Sequence, residues 1–360
     1  FPDAVEAIGE RYGIEIKREG GKTKRKRRQD PRPVYDLNML AYRFYRESLK
    51  RSPDLISKYL EDRELDSDIQ DYFGLGLAPN SWHSFVEFAR KKGASDSLLQ
   101  LSGLSRRGSK GDLYDTFRGR LIFPVWVDGK RIAGFGGRTI PGLEEDSKSV
   151  PKYINSPETI AYQKSVILYG LPQALTSIRE AREAVVVEGY MDVISLHRVG
   201  VTNAVATCGT ALTSDHVKRL KSLASQVLLL FDGDRAGRVA ASKAFKTFVN
   251  SGLDARVIFL EEDEDPDSIA RKYGDKTAEY LLACEKRPLL TCWIEHLVEK
   301  NGYNALSELG AAARGKLSTS IASDLRLIEN RVEREELIGS AAFLLKVSKD
   351  DLAALVDNST

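Results

Sequence analysis

Three short apolar runs, each closed by acidic residues, constrain this chain more than any other feature of its sequence. Ala184-Val185-Val186-Val187 leads into Glu188, and Val227-Leu228-Leu229-Leu230-Phe231 leads into Asp232. Ala255-Arg256-Val257-Ile258-Phe259-Leu260 leads into an acidic stretch from Glu261 to Asp267. Continuous apolar runs of this length, bounded by glycine and charge, read as buried parallel strands. In open α/β sheets, ligands gather where such strands end. Three successive strand ends therefore bring carboxylates to one rim. Two like unit charges ~4 Å apart repel by about 4 kcal/mol at an effective dielectric near 20. Such a cluster calls for bound cations, raised pKa values or wide separation, and hard oxygen donors suit magnesium or manganese.

Any one of these acids, taken alone, reads more simply as a helix cap or a turn former. Their joint spacing says more. Asp232 and Asp234 stand two apart, so an extended backbone points both the same way. Gly233 between them permits a tight turn or close approach to a ligand, and Gly189 does the same after Glu188. Asp192, near the start of the following helix, adds another acceptor at that end.

Around these runs the pattern alternates: strand 184–188, helix 190–199, strand 202–206, helix 213–224, strand 226–231, helix 235–250 and strand 255–260. That order predicts a doubly wound parallel sheet. Upstream lies a mixed α/β region. Tyr35 to Leu49 has helical apolar spacing, and strands Leu121 to Trp126 and Ile132 to Phe135 meet around Asp128-Gly129, a hairpin signal. Basic residues are scattered around that hairpin: Arg106, Arg107, Lys110, Arg118, Arg120, Lys130, Arg131, Arg138, Lys148, Lys152 and Lys164. Many read as solvated, yet the net charge is only +2, with acids concentrated downstream. A basic face beside an acidic pocket suits a nucleic acid polymerase, one tracking phosphates and the other holding metal. From Lys286 onward the pattern turns helical, over Leu289 to Lys300, Ser307 to Leu317, Ile321 to Leu345 and Lys349 to Val356.

Several readings are excluded. Gly134-Phe-Gly-Gly-Arg138 lacks dinucleotide-loop spacing, and its glycines are expected to admit another backbone. Gly21-Lys22-Thr23 lacks the first glycine of a phosphate loop and runs into the basic segment 22–28, read as a tether. No apolar run approaches the ~20 residues of a membrane span, so no membrane partner is expected. Cys208, Cys284 and Cys292 form no C-x-x-C pair; they fit reduced thiols in a cytoplasmic setting and build no zinc site.

Glu188-Gly-Tyr-Met-Asp192 with Asp232-Gly-Asp-Arg-Ala-Gly237 resembles the Toprim domain of primases and topoisomerases. The longer string from Val185 to Thr213, with "FRGRLIFPV" (117–125), "GFGGR" (134–138), "PKYINSPET" (151–159) and "EDPDS" (264–268), resembles the bacterial DnaG-type primase catalytic core. The likeness runs from about Val34 to the carboxy terminus. It implies an α/β fold in three parts: an α+β amino-terminal subdomain at 34–177, a Rossmann-like Toprim sheet at 178–282 and a helical subdomain at 283–360. Residues 1–33 resemble the tail of a zinc-binding domain plus a basic linker. Zinc would belong to a domain absent from this chain, and helicase contact to a missing carboxy-terminal module.

By the same resemblance, Glu188, Asp232 and Asp234 are the catalytic metal ligands for Mg2+ or Mn2+, assisted by Asp265, Asp267 and Asp192. Lys152, Asn155, Lys164 and Tyr190 lie at the incoming nucleotide, and Arg118, Arg138 and Lys152 along the template. The implied activity is that of a DNA primase, a nucleotidyltransferase acting in DNA replication. It makes short RNA primers from ribonucleoside triphosphates on single-stranded DNA. The alternatives are a Toprim-type nuclease, which shares the acids, and a catalytically silent single-strand-binding scaffold. A type IA topoisomerase needs a clamp domain for which the chain has no room.

Overall fold

The computed structural model describes residues 30–52, 54–143 and 150–358. The amino-terminal tail, the tripeptide Gly21-Lys22-Thr23, the basic run 22–28 and Lys148 lie outside the described residues. Helix α1 (Arg32–Lys50) buries Val34, Leu37, Ala41, Tyr45 and Leu49 along one stripe, the i, i+3, i+4 spacing of an amphipathic helix. It begins earlier than the apolar pattern because Pro33 fits a first turn that needs no N–H donor. Buried Asn38 pins it to the sheet, its Nδ2 donating to the carbonyls of Ile132 at 2.9 Å and Ala133 at 2.8 Å.

Helices α2 (Asp54–Asp62) and α3 (Ser67–Phe73) follow, then strand β1 (Gly76–Ala78), helices α4 (Ser84–Lys91) and α5 (Asp96–Leu101), and a two-stranded ribbon of β2 (Ser105–Arg107) and β3 (Leu113–Asp115). Strands β4 (Arg120–Trp126) and β5 (Ile132–Thr139) form the expected hairpin, and β6 (Tyr153–Asn155) completes an antiparallel sheet in the order β1-β4-β5-β6. The Asp128 carboxylate closes the hairpin by accepting the N–H groups of Lys130 and Arg131 at 2.8 Å each.

The second sheet is built from α6 (Leu171–Ala181), β7 (Glu183–Val187), α7 (Tyr190–Arg198), β8 (Ala204–Ala206), α8 (Ser214–Lys221), β9 (Gln226–Phe231), α9 (Arg235–Phe248), β10 (Asp254–Phe259), α10 (Pro266–Tyr273), α11 (Thr277–Ala283) and β11 (Arg287–Pro288). Its strand order is β11-β10-β9-β7-β8, parallel except for the short antiparallel edge strand β11. The chain moves outward from β7 to β8, then crosses back to β9, which places the topological switch between β7 and β9.

Both faces of this sheet are buried. Val186, Leu229 and Val257 share a core with α8, α9 and the carboxy-terminal helices. Val185, Val187, Leu228, Leu230 and Ile258 share another with α7, α10 and the antiparallel sheet. Strand alternation thus assigns each residue its layer.

The final helices are α12 (Leu289–Lys300), α13 (Ala311–Leu325), α14 (Arg331–Leu345) and α15 (Lys349–Asn358). The continuous helix expected over Ile321 to Leu345 is instead two. Asn330 caps α14, its side chain accepting from Val332 and Glu333 N–H, and buried Ile328 turns inward between the helices. The helix expected from Ser307 begins at Ala311, behind a short 3-10 turn at Leu306–Glu308. The Phe245 and Trp293 rings stack at 4.6 Å, fastening α9 to α12.

His197 on α7 gives the fold a measurable acid sensitivity. Its Nε2 lies 2.9 Å from the Ala204 carbonyl oxygen, and its ring meets Phe73 edge-on at 5.2 Å. Burial pulls its pKa from the usual 6.5 down to about 4, with the Ala204 contact acting weakly the other way. The unfolded chain therefore takes up a proton on this residue before the folded one does. Stability is intact above the unfolded value and lost as pH falls through this window, by on the order of 3 kcal/mol. Melting temperatures of wild type and His197→Phe, taken from about pH 7 to about pH 4, should converge as pH falls. Parallel profiles would remove His197 from the account.

Candidate metal and nucleic acid site

The acids expected at strand ends stand there. Glu188 follows β7 and is exposed at the rim; Asp232 follows β9 and is half-buried; Asp234 is exposed two residues on. Two further acids occupy the starts of α7 and α10. Asp234 and Asp265 are the N-caps of α9 and α10, accepting from Gly237 N–H at 2.8 Å and Ser268 N–H at 2.7 Å. Asp192 Oδ2 accepts the Gly189 N–H at 2.8 Å. Capping and metal binding are compatible here, since each cap uses one carboxylate oxygen and leaves another.

The electrostatics show mutual crowding. Withdrawal from water, then Asp232 and Asp234, push the Glu188 carboxyl above its usual range. Asp232 is raised by desolvation, then by Asp265 and Asp234. Asp192 is pushed up to about 7, by burial first and then by Asp265, Asp232 and Asp267. Among the described residues, none of Glu188, Asp192, Asp232, Asp234 and Asp265 forms an ion pair with Lys or Arg. Among the same residues, no three His, Cys, Asp or Glu side chains close into a finished metal cage. The set is an open rim of oxygen donors whose repulsion a divalent cation would relieve.

Asp267 departs from expectation. It is buried and already engaged: Ser195 Oγ donates to it at 2.5 Å, while Arg63 and Arg271 lie at 3.2 and 3.3 Å. Its carboxylate fastens α10 to α7 and to the turn after α2, so the geometry gives it a positioning role behind the rim.

Tyr190 also departs from expectation. It is buried, its ring stacked on Phe123 at 4.9 Å, and its hydroxyl donates to Asn155 Oδ1 at 2.7 Å. Burial removes it from direct nucleotide contact, so it orients Asn155 instead. Asn155 Nδ2 in turn donates to the Cys208 carbonyl at 2.8 Å, tying β6 to the turn after β8. The close packing explains part of the Gly134 to Arg138 segment. A Cβ on Gly136 would lie 2.3 Å from the Tyr190 ring, and one on Gly137 2.7 Å from the Phe117 ring. Aromatic rings, not another backbone, fill those spaces.

On the basic side, Arg118 is half-buried and its guanidinium lies 4.2 Å from the Trp82 ring centroid and 5.3 Å from that of Tyr114. Trp82 is 55% exposed. Buried Asp115 holds this corner by accepting the N–H groups of Phe85 and Val86 at 2.8 and 2.9 Å. Trp82 and Tyr114 have no signal in the sequence because an exposed aromatic in a turn and a lone aromatic in a three-residue strand carry no periodicity. Lys152 is exposed, its Nζ 6.0 Å from the Tyr153 ring, and Lys164 is half-exposed. Arg138, expected along the template, is 5% exposed and lies over the Tyr153 ring at 5.4 Å. It packs inside the sheet edge and offers no open phosphate contact. Buried Arg120 donates to the carbonyls of Gly137, Lys152 and Pro151 and is structural.

A mostly parallel sheet with acids at its switch point, joined to an antiparallel sheet carrying a basic, aromatic corner, defines a Toprim-containing catalytic core. Residues 44–175 match the family model described as DNA primase catalytic core, N-terminal domain, and residues 185–270 match the Toprim-like model. A DNA primase of Pseudomonas aeruginosa is 38% identical over 306 residues, covering 83% of this chain and 45% of that protein. The crystal structure of a DNA primase domain from Pseudomonas aeruginosa superposes with a TM-score of 0.79 at 34% identity, covering 91% of this chain and all of that one. A DnaG primase catalytic domain bound to ssDNA gives a TM-score of 0.76 at 31% identity, covering 89% of this chain and 98% of that one. The chain belongs to the DnaG-type DNA primase family and carries its catalytic core. It spans about half the length of the full primases it matches. No helix among the described residues is long and apolar enough to cross a membrane.

Proposed function

We propose that this chain synthesises short RNA primers from ribonucleoside triphosphates on single-stranded DNA during replication, as a DNA primase. The observation that carries this reading is the carboxylate rim at the switch point of the sheet, within one unit that also holds the Trp82, Tyr114 and Arg118 corner. The Toprim unit at 178–282 would perform the chemistry, the subdomain at 34–177 would hold template, and the helices of 283–360 would support the sheet. Contact with a replicative helicase is assigned to no residue of this chain. Three unpaired cysteines suit a reducing, cytoplasmic setting.

Glu188, Asp232 and Asp234 would hold Mg2+ or Mn2+, with Asp265 and Asp192 beside them and Asp267 bracing the helix behind. A divalent cation bound there supplies charge neutralisation at the reacting phosphate and makes the attacking 3′-hydroxyl more acidic. Glu188, exposed at the end of β7, is the carboxylate assigned to receive that proton. Lys152 and Lys164 offer ammonium groups to the triphosphate, and Asn155, held by Tyr190, sets the edge of the nucleotide site. No covalent nucleophile is required. The test is incubation with single-stranded template, labelled ribonucleotides and either metal. New oligoribonucleotides support the reading; shortened template means a nuclease, and binding alone means a silent scaffold.

The aromatic corner gives a separate expectation. Trp82→Ala should weaken single-strand binding by about 1–3 kcal/mol with little change in salt dependence, as loss of base stacking does. Arg118→Ala should also flatten the salt dependence, by about one unit of slope for a lost phosphate contact. Affinities measured across a salt series decide this, and wild-type values in both variants would place the template elsewhere.

A further inference from the structure

A hollow of ≈ 800 Å³ opens beside the rim, on the sheet face turned away from the antiparallel subdomain. Its walls are the turn after β8 and the flank of α9. Val186, Leu229, Phe231, Val239 and Ala240 give it an apolar floor, while Thr210, Arg235 and Lys243 add polar groups to its lining. Arg235 and Lys243 are exposed. The wall at Gly209 and Thr210 is a built turn: Gly209 and its neighbour Cys208 have positive φ, 83° and 51°. It is held by Asn155 Nδ2 on the Cys208 carbonyl at 2.8 Å and by Thr210 Oγ1 donating to the Thr207 carbonyl at 3.1 Å.

We propose that this hollow is a ligand site of its own, taking a flat, largely apolar ring that carries an anionic group. Its volume falls within the range of small-molecule pockets, which pair an apolar lining with a few placed polar groups. It also lies at the topological switch point, where ligands of open α/β sheets enter. A ring sunk between these walls touches aliphatic side chains and sits on the sheet face away from the subdomain that carries Trp82 and Arg118. Lys243, well along α9 from the Asp234 cap, supplies the charge for the anion, which thereby lies away from Glu188 and Asp234 at the rim. An occupant borders two rim carboxylates, which makes the hollow a place from which a small molecule can hinder the site. The inference goes beyond primer synthesis and does not depend on it.

The test titrates the whole chain with two fluorescent probes, anilinonaphthalene sulfonate and its neutral relative N-phenylnaphthylamine. Saturable binding of both is expected, with the sulfonate preferred. Ala240→Phe, which fills the floor, should weaken both probes roughly tenfold or more. Lys243→Glu should remove the preference for the sulfonate, again about tenfold, and Lys243→Arg should restore it. Melting curves show whether Ala240→Phe has folded; if it has not, the Lys243 pair decides alone. Unchanged affinity in folded Ala240→Phe, or an unchanged sulfonate preference in Lys243→Glu, overturns the proposal. The readout needs neither template nor nucleotide, so a chain that made no RNA would still show whether this hollow binds.

Discussion

Glu188→Gln should lower primer synthesis by roughly 10²-fold or more while leaving single-stranded DNA affinity nearly unchanged. Three observations set this expectation. Glu188 ends the strand on one side of the switch point, Asp232 and Asp234 end the strand on the other, and withdrawal from water, then the charges of these two, raise the Glu188 carboxyl. The amide keeps the shape of the side chain but loses the charge that binds a cation and the basicity that accepts a proton. The basic, aromatic corner at Trp82 and Arg118 belongs to other strands and turns, so template contacts there should persist. Removing one of several repelling charges should leave the metal-free protein at least as stable as wild type. The measurement is synthesis over a metal series, paired with DNA binding and a melting curve. Near-normal synthesis at ordinary magnesium would remove Glu188 from the chemistry. Loss of synthesis together with folding would show only a structural defect, which the exposed position of Glu188 argues against.

What is legible in the sequence follows the physics of each signal. The central strands β7, β9 and β10 are legible because burial on both faces demands unbroken apolar runs, and their acidic ends mark the rim. The helices α7 and α9 are legible because glycine and acidic residues punctuate their starts. Short elements such as β1, β2 and α5 are not, since three to six residues cannot show a period. The split between α13 and α14 is hidden because Ile328 is apolar and fits a helical stripe, while the break comes from capping by Asn330. Side-chain roles are the least legible. Arg138 and Tyr190 look like surface ligands in one dimension, yet they pack against Tyr153 and Phe123. Asp267 looks like another rim acid until Arg63, some two hundred residues earlier in the chain, meets it in space. Pairings of that kind have no local trace.

Gly233→Ala should be the more damaging change at the opposite wall of the site, striking stability and activity together. The sequence suggests that Gly233 admits a ligand; the fold shows that it admits the next strand. A Cβ at Gly233 would lie 2.1 Å from the Leu260 carbonyl oxygen and 3.2 Å from the Glu261 carbonyl carbon. These are backbone atoms that cannot rotate away, and the Leu260 N–H is itself held by the Phe231 carbonyl at 3.0 Å. Relief therefore requires the Asp232 to Asp234 turn and the end of β10 to move apart. Forcing extra volume into such a contact costs about 1–3 kcal/mol and occasionally more. The displaced atoms include the backbone of two rim acids, and a misplacement of about 1 Å can cost ~10²-fold in rate. The variant should thus melt lower than wild type and synthesise primers far more slowly even where it is fully folded. Glu188→Gln, by contrast, should lose activity with no loss of stability. Measuring both variants by thermal melting and by synthesis well below the lower melting point separates the two causes. A Gly233→Ala protein with wild-type melting and wild-type synthesis would mean that the turn and strand end do not press together as described, and that the rim tolerates movement its chemistry should not allow.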